Sequence, residues 1–109
     1  MRGMPDTWGL DRTAEGFSVH GEIDLATAEP FEERAIEAVM DAPGSSVLID
    51  LSGVTFMDSA GTRALIRVME LRSRKSLIIQ PSRQVFKVLQ LVALTGRVLP
   101  NVEILEPPA

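Results

Sequence analysis

The sequence predicts an α/β fold, a mixed and largely parallel sheet with helices covering at least one face. Three observations lead there. Short apolar runs alternate with segments of helical period. Gly16, Gly21, Pro43-Gly44, Gly53, Pro81, Gly96 and Pro100 cut the chain into blocks of element length. The 109 residues are enough for one core and too few for a second.

Taken in order, "GFSVHGEID" (Gly16–Asp24) sets Phe17 and Val19 against Ser18 and His20 and continues to Ile23, a period-two strand. A weaker strand around Trp8–Arg12 precedes it, joined as a hairpin through Thr13–Gly16. In "TAEPFEERAIEAVMDAPG", Phe31, Ala35, Ala38 and Val39 fall at helical spacing, while Glu32, Glu33, Arg34, Glu37 and Asp41 face away. Thr27 suits the N-cap, Glu29 puts charge in the first turn, Pro30 is tolerated there, and Pro43-Gly44 closes the helix. "SVLIDLS" reads as a strand buried on both faces, because Val47–Ile49 has no polar alternation. "GTRALIRVMELRSRK" is helical, with a core stripe of Gly61, Ala64, Leu65 and Val68 and a second face of Arg63, Arg67, Glu70 and Arg74. "SLIIQ" (Ser76–Gln80) is a further strand. "PSRQVFKVLQLVALTG" has Ser82 as N-cap, Val85, Val88, Leu89 and Val92 as its stripe, and Gly96 as its stop. A short strand at Val102–Leu105 ends the pattern, and "EPPA" is expected to fray. In sheets of this kind, contacts gather at the carboxyl ends of strands and the adjoining helix starts.

Composition narrows the function. Apolar residues make up 45% and charged residues 24%, a globular balance. Cysteine is absent, which excludes disulfides and thiolate metal sites and fits a reducing compartment. "MRGMPDTWGL" has no apolar h-region, and no window approaches the roughly 18 apolar residues of a membrane span, so a soluble cytoplasmic protein is expected. The net charge of −4 is unevenly spread: residues 1–59 carry −9 and residues 60–109 carry +5. With an acidic balance, one Trp and no Tyr, nucleic-acid binding is not expected.

The chemistry concentrates at Asp58-Ser59-Ala60-Gly61. Both Asp58 and Ser59 are N-cap candidates, and a helix start stabilises a phosphate placed on it. Ser59 is thus either a cap or a phosphoacceptor. A hydrolase elbow needs Gly two residues either side of the serine; Gly61 fits, but Met57 does not. The imidazole for a Ser–His pair could come only from His20, on a separate strand. His20 with Glu22 and Asp24 reads better as a solvent-facing or loop-capping histidine than as a metal site. Neither GxxxxGK[ST] nor GxGxxG occurs. No catalytic residue, metal or cofactor is expected.

Three blocks go beyond this generic pattern. "VLIDLSGVTFMDSAG" (Val47–Gly61) resembles the STAS family signature, specifically that of bacterial anti-sigma factor antagonists. "GEIDLATAEPF" (Gly21–Phe31) resembles a second family block, and "VFKVLQLVALTG" a third. The likeness covers most of residues 6–105. It implies a single STAS-like domain over 1–109, with a mixed four- to five-stranded sheet and three helices mainly packed on one face. The resemblance also implies a mechanism. Unphosphorylated, such a protein binds a serine-kinase anti-sigma factor of the GHKL type and frees its sigma factor. The kinase, using its own ATP, phosphorylates the motif serine, here Ser59, and a phosphatase restores it. The family's contact surface matches Asp24, Thr27, Asp58, Ser59 and Gly61. The alternative within the fold is a scaffold or a small-ligand or nucleotide-sensing subunit of another signalling complex.

The chain departs from the family pattern in places. Ala60 replaces the usual Ser or Thr, so Ser59 is the acceptor within the motif. Thr62-Arg63 replaces the common Leu-Gly pair. "LRSRKSLII" lacks the usual glycines, and no final helix is expected after Val102–Leu105. The stripe Arg63–Arg67–Arg74 would steer an acidic partner; the simpler account is a solvated face with an Arg67–Glu70 pair.

Overall fold

The computed structural model describes residues 8–91 and 99–108. Its elements are β1 (Trp8–Arg12), β2 (Gly16–Ile23), α1 (Ala28–Asp41), β3 (Ser46–Met57), α2 (Ser59–Met69), a 3-10 turn (Glu70–Ser73), β4 (Ser76–Pro81), α3 (Arg83–Leu91) and β5 (Val102–Ile104). The five strands lie side by side in chain order. β1 runs antiparallel to β2, and every later pairing is parallel. Each parallel step needs a crossover, and right-handed crossovers that keep moving in one direction put all their helices on the same face.

Burial agrees. Phe17 and Val19 of β2, Val47, Ile49 and Leu51 of β3, and Leu77 and Ile79 of β4 are buried towards the helices. Ser18, Leu48, Asp50, Ile78 and Gln80 point the other way and are only half-buried. β3 is therefore not buried on both faces as its apolar run suggests: Leu48 lies on the uncovered side. The helices contribute Phe31, Ala35, Ala38 and Val39 from α1, Leu65 and Val68 from α2, and Val85 and Leu89 from α3, which completes the core. Val88 is half-buried beside that stripe. The expected Val92 and Gly96 positions lie outside the described residues.

β1 adds an edge fastened by side chains. The Trp8 ring meets Phe31 edge-on at 6.5 Å, and the Arg34 guanidinium lies 5.2 Å from the Trp8 centroid. Arg34 also donates to the Leu10 carbonyl at 2.8 Å. Such aromatic and cationic contacts fix an edge strand that has a single hydrogen-bonded neighbour.

The second helix and the C-terminal tail also differ from expectation. The helix after Ser59 ends at Met69, and Glu70–Ser73 tightens into the 3-10 turn. Arg74 therefore lies beyond α2 and does not extend its basic face. Glu106, expected to fray, is held at its carbonyl by the Gln80 side chain at 2.9 Å.

β3 is also longer than its apolar core. Two register shifts let it outrun β2: Ser18 to His20 spans Asp50 to Gly53, and Gly21 to Glu22 spans Val54 to Phe56. At the first, Asp50 Oδ1 accepts from the Ser52 N–H at 3.0 Å and from its hydroxyl at 2.6 Å, which folds the extra residue out as a bulge. At the second, Gly21 has φ of 94°, a backbone angle that glycine reaches without strain. These bulges set where β3 ends, and so where the next helix begins.

Candidate functional site

Asp58 joins β3 to α2 with extended backbone, φ −94° and ψ −170°. Its Oδ1 accepts the Gly61 N–H at 2.9 Å, the N-cap bond that satisfies one of the free amides of α2. Its Oδ2 accepts the Leu25 N–H at 3.1 Å. One carboxylate therefore ties the start of α2 to the loop between β2 and α1. Residue type left Asp58 and Ser59 equal as caps; the extended backbone falls at Asp58, which takes the role. Ser59 becomes the first helical residue and is exposed. Among the described residues nothing hydrogen-bonds its hydroxyl. The helix does not need this serine for its cap.

The loop facing it is equally constrained. Asp24 Oδ1 accepts from the N–H groups of Ala26 at 3.0 Å and Thr27 at 3.2 Å. The Thr27 hydroxyl accepts the Asp24 N–H at 2.9 Å and donates to the Glu22 carbonyl at 2.9 Å. Thr27 precedes α1, but its side chain makes no cap bond; it locks the loop onto β2 instead. At the tip stands Leu25, 80% exposed. Sequence reasoning passed over Leu25, although an apolar residue within the otherwise small and polar "DLATA" was the available signal.

Gly61 sits where α2 crosses the end of β2. A Cβ there would lie 2.3 Å from the Ile23 carbonyl oxygen, so only glycine permits this approach. Thr62 is buried, and its hydroxyl donates to the Asp58 carbonyl at 2.8 Å. Of the residues expected at the site, Asp24, Thr27, Asp58, Ser59 and Gly61 do converge. Thr27 and Gly61 are buried and shape the surface, while Ser59 is exposed and Asp24 and Asp58 are half-buried.

Two grooves flank the serine. One, about 320 Å³, runs between α2 and α3 and is lined by Ser59, Thr62, Arg63, Ile66, Val88 and Leu91 among others. The other, about 390 Å³, lies between α1 and α2 and includes Leu25, Glu29, Ala60, Arg63 and Arg67. Arg67 pairs with Glu32 of α1 at 2.9 Å, so the expected Arg67–Glu70 pair is replaced by a contact between helices. Sequence reasoning missed Glu32 because neighbours across two helices leave no local spacing signal.

His20 is in register with Gly53, whereas Ile23 meets Met57 beside the site. Three residues of strand separate them, about 10 Å, and His20 does not approach Ser59. Among the described residues no three His, Cys, Asp or Glu side chains are grouped to hold a metal. No described helix is long and apolar enough to cross a membrane.

The family model of the STAS domain matches residues 13–103. The chain belongs to the STAS domain family. An anti-sigma-F factor antagonist of Mycobacterium tuberculosis, RsfB, is 45% identical to this STAS domain over 53 residues. That stretch is 49% of this chain and 43% of RsfB, so the match spans less than half of the relative's length. Among solved structures, an anti-sigma factor antagonist from Mycobacterium paratuberculosis is similar over 94% of this STAS domain and 90% of that chain, with TM-score 0.65 and 25% identity. The anti-sigma factor antagonist SpoIIAA in its unphosphorylated form shares the fold over 93% of this chain and 89% of its own, with TM-score 0.56 and 20% identity. The Bacillus SpoIIAA in its phosphorylated form does so over 91% of each chain, with TM-score 0.54 and 22% identity.

Proposed function

We propose that this STAS domain is an anti-sigma factor antagonist governed by phosphorylation of Ser59, with residues 1–109 acting as one domain in the cytoplasm. Unphosphorylated, it binds a serine-kinase anti-sigma factor of the GHKL type, and the sigma factor held by that kinase is released. The kinase then transfers a phosphoryl group from its own ATP: a bond forms between Ser59 Oγ and the γ-phosphorus, and the bond to the ADP oxygen breaks. The hydroxyl proton passes to a base on the kinase, while Asp58 stays in its cap and loop contacts, with one N–H on each oxygen. The phosphoprotein dissociates, and a phosphatase resets it.

One observation carries this reading: Ser59 is an exposed hydroxyl, without a partner among the described residues, on a helix start that another residue caps. Modifying it leaves the cap intact and changes only the surface. The exposed residues that would meet the partner are Leu25, Ser59 and Arg63, on a frame built by Asp24, Thr27, Asp58 and Gly61. An uncompensated charge buried in an interface costs about 2–5 kcal/mol, roughly thirtyfold to several thousandfold in affinity.

The test is incubation with the cognate kinase and ATP, followed by peptide mass spectrometry. One phosphate on Ser59, absent from Ser59→Ala, is expected. Phosphate on another residue, or retained by the alanine variant, overturns the reading.

A further inference from the structure

Among the described residues, the Arg63 side chain stands outside the hydrogen bonds and ion pairs that tie the fold. It is exposed, and no ion pair or side-chain hydrogen bond ties it to any described residue. Arg67, one turn later, is held by Glu32 at 2.9 Å. Arg63 stands four residues after Ser59 in α2, which puts both on one helix face. Long helical side chains lean towards the N-terminus, the direction in which Ser59 lies from Arg63. Ser59 and Arg63 line the same groove, and Arg63 also lines the groove on the opposite side.

A phosphate on Ser59 meets a helix start whose positive charge is partly answered. The Asp58 carboxylate occupies the Gly61 N–H at 2.9 Å and the Asp58 carbonyl the Thr62 N–H at 2.9 Å, which removes two of the amides of this helix start, and the neighbouring carboxylate repels the phosphate. A guanidinium one turn away supplies what is missing, because its planar fork matches two phosphate oxygens. Resting on the reading of Ser59 as phosphoacceptor, the geometry points to Arg63 as the internal counter-ion of phospho-Ser59. The same arginine in the unphosphorylated protein is free for an acidic group on the partner. Phosphorylation then withdraws an attraction as well as adding a repulsion.

The test needs no kinase. Phosphoserine is installed at position 59 during synthesis in chains carrying Arg63, Arg63→Gln or Arg63→Lys, and the unphosphorylated chains complete a double-mutant cycle. Urea unfolding at low salt reads the coupling. With Arg63, phosphorylation shifts the folding equilibrium about two- to fivefold more favourably than in the Arg63→Gln chain, the range of an exposed pair. The difference fades in high salt, and Arg63→Lys recovers only part of it. The phosphorus NMR titration of the phosphate has a lower midpoint with Arg63 than with Arg63→Gln. Additive free energies together with coincident titrations overturn the proposal. A kinase that fails to modify Ser59 counts against the proposed function instead and leaves this result standing.

Discussion

Gly61 decides how closely the first turn of α2 can lie against the sheet. A Cβ at that position meets a backbone oxygen, Ile23 O, at 2.3 Å, and a backbone atom cannot swing aside as a side chain can. Gly61→Ala is expected to cost about 2–3 kcal/mol in urea unfolding, at the upper end for overpacking; a loss below about 0.5 kcal/mol contradicts the packing described. Residue type foretold this glycine's place in the stripe but not its reason, which lies in another strand. The same holds for Asp58 and Ser59. Both were legible as cap candidates, and only backbone angle separates them. Thr27 was legible as a residue of the helix entrance, while its hydroxyl turns back to β2, a choice made by the loop and not by the helix.

At the scale of elements, β3 shows where reading by period stops. Its first half, Val47 to Leu51, is apolar and plain. Its second half places Ser52-Gly53 and then Thr55-Phe56 as consecutive exposed residues, so no alternation survives. The strand continues because each bulge resets the phase and returns Val54 and Met57 to the core. Asp50 is the device at the first bulge, bonded to the Ser52 N–H at 3.0 Å. Asp50→Ala is expected to cost about 1 kcal/mol and, on the proposed reading, to slow Ser59 phosphorylation, because the end of β3 no longer falls in one place. Asp50→Asn keeps the accepting oxygen and should leave both measurements nearly unchanged. Equal behaviour of the two variants, in stability and in phosphorylation rate, would remove Asp50 from the positioning of the site. The core stripes of the helices, by contrast, were legible over the described residues, since each obeys one period, while the end of α2 at Met69 was not.

For the whole molecule, strand order and charge act together. Sequential parallel strands bring the ends of β2 and β3 and the start of α2 to one rim, where the blocks "GEID" and "MDSAG" meet. The chain's negative charge sits mostly in residues 1–59 and its positive charge after them. At the rim, Arg67 is answered by Glu32 and Arg74 lies off the helix, which leaves Arg63, among the described residues, as the basic group beside Ser59. On the proposed reading, Arg63→Ala is expected to slow association with the anti-sigma factor about two- to threefold at low salt, an effect that shrinks as salt rises. Stopped-flow association rates across a salt series check this, and a rate indifferent to the substitution contradicts it.

The carboxylate of Asp58 is shared between two amides that are 36 residues apart in the chain, Leu25 at 3.1 Å and Gly61 at 2.9 Å. Neither amide can open to solvent by turning that side chain without exposing the other. The apolar tip of the loop and the first turn of the helix are thereby coupled, and on the proposed reading a kinase that pries up the serine also lifts the leucine.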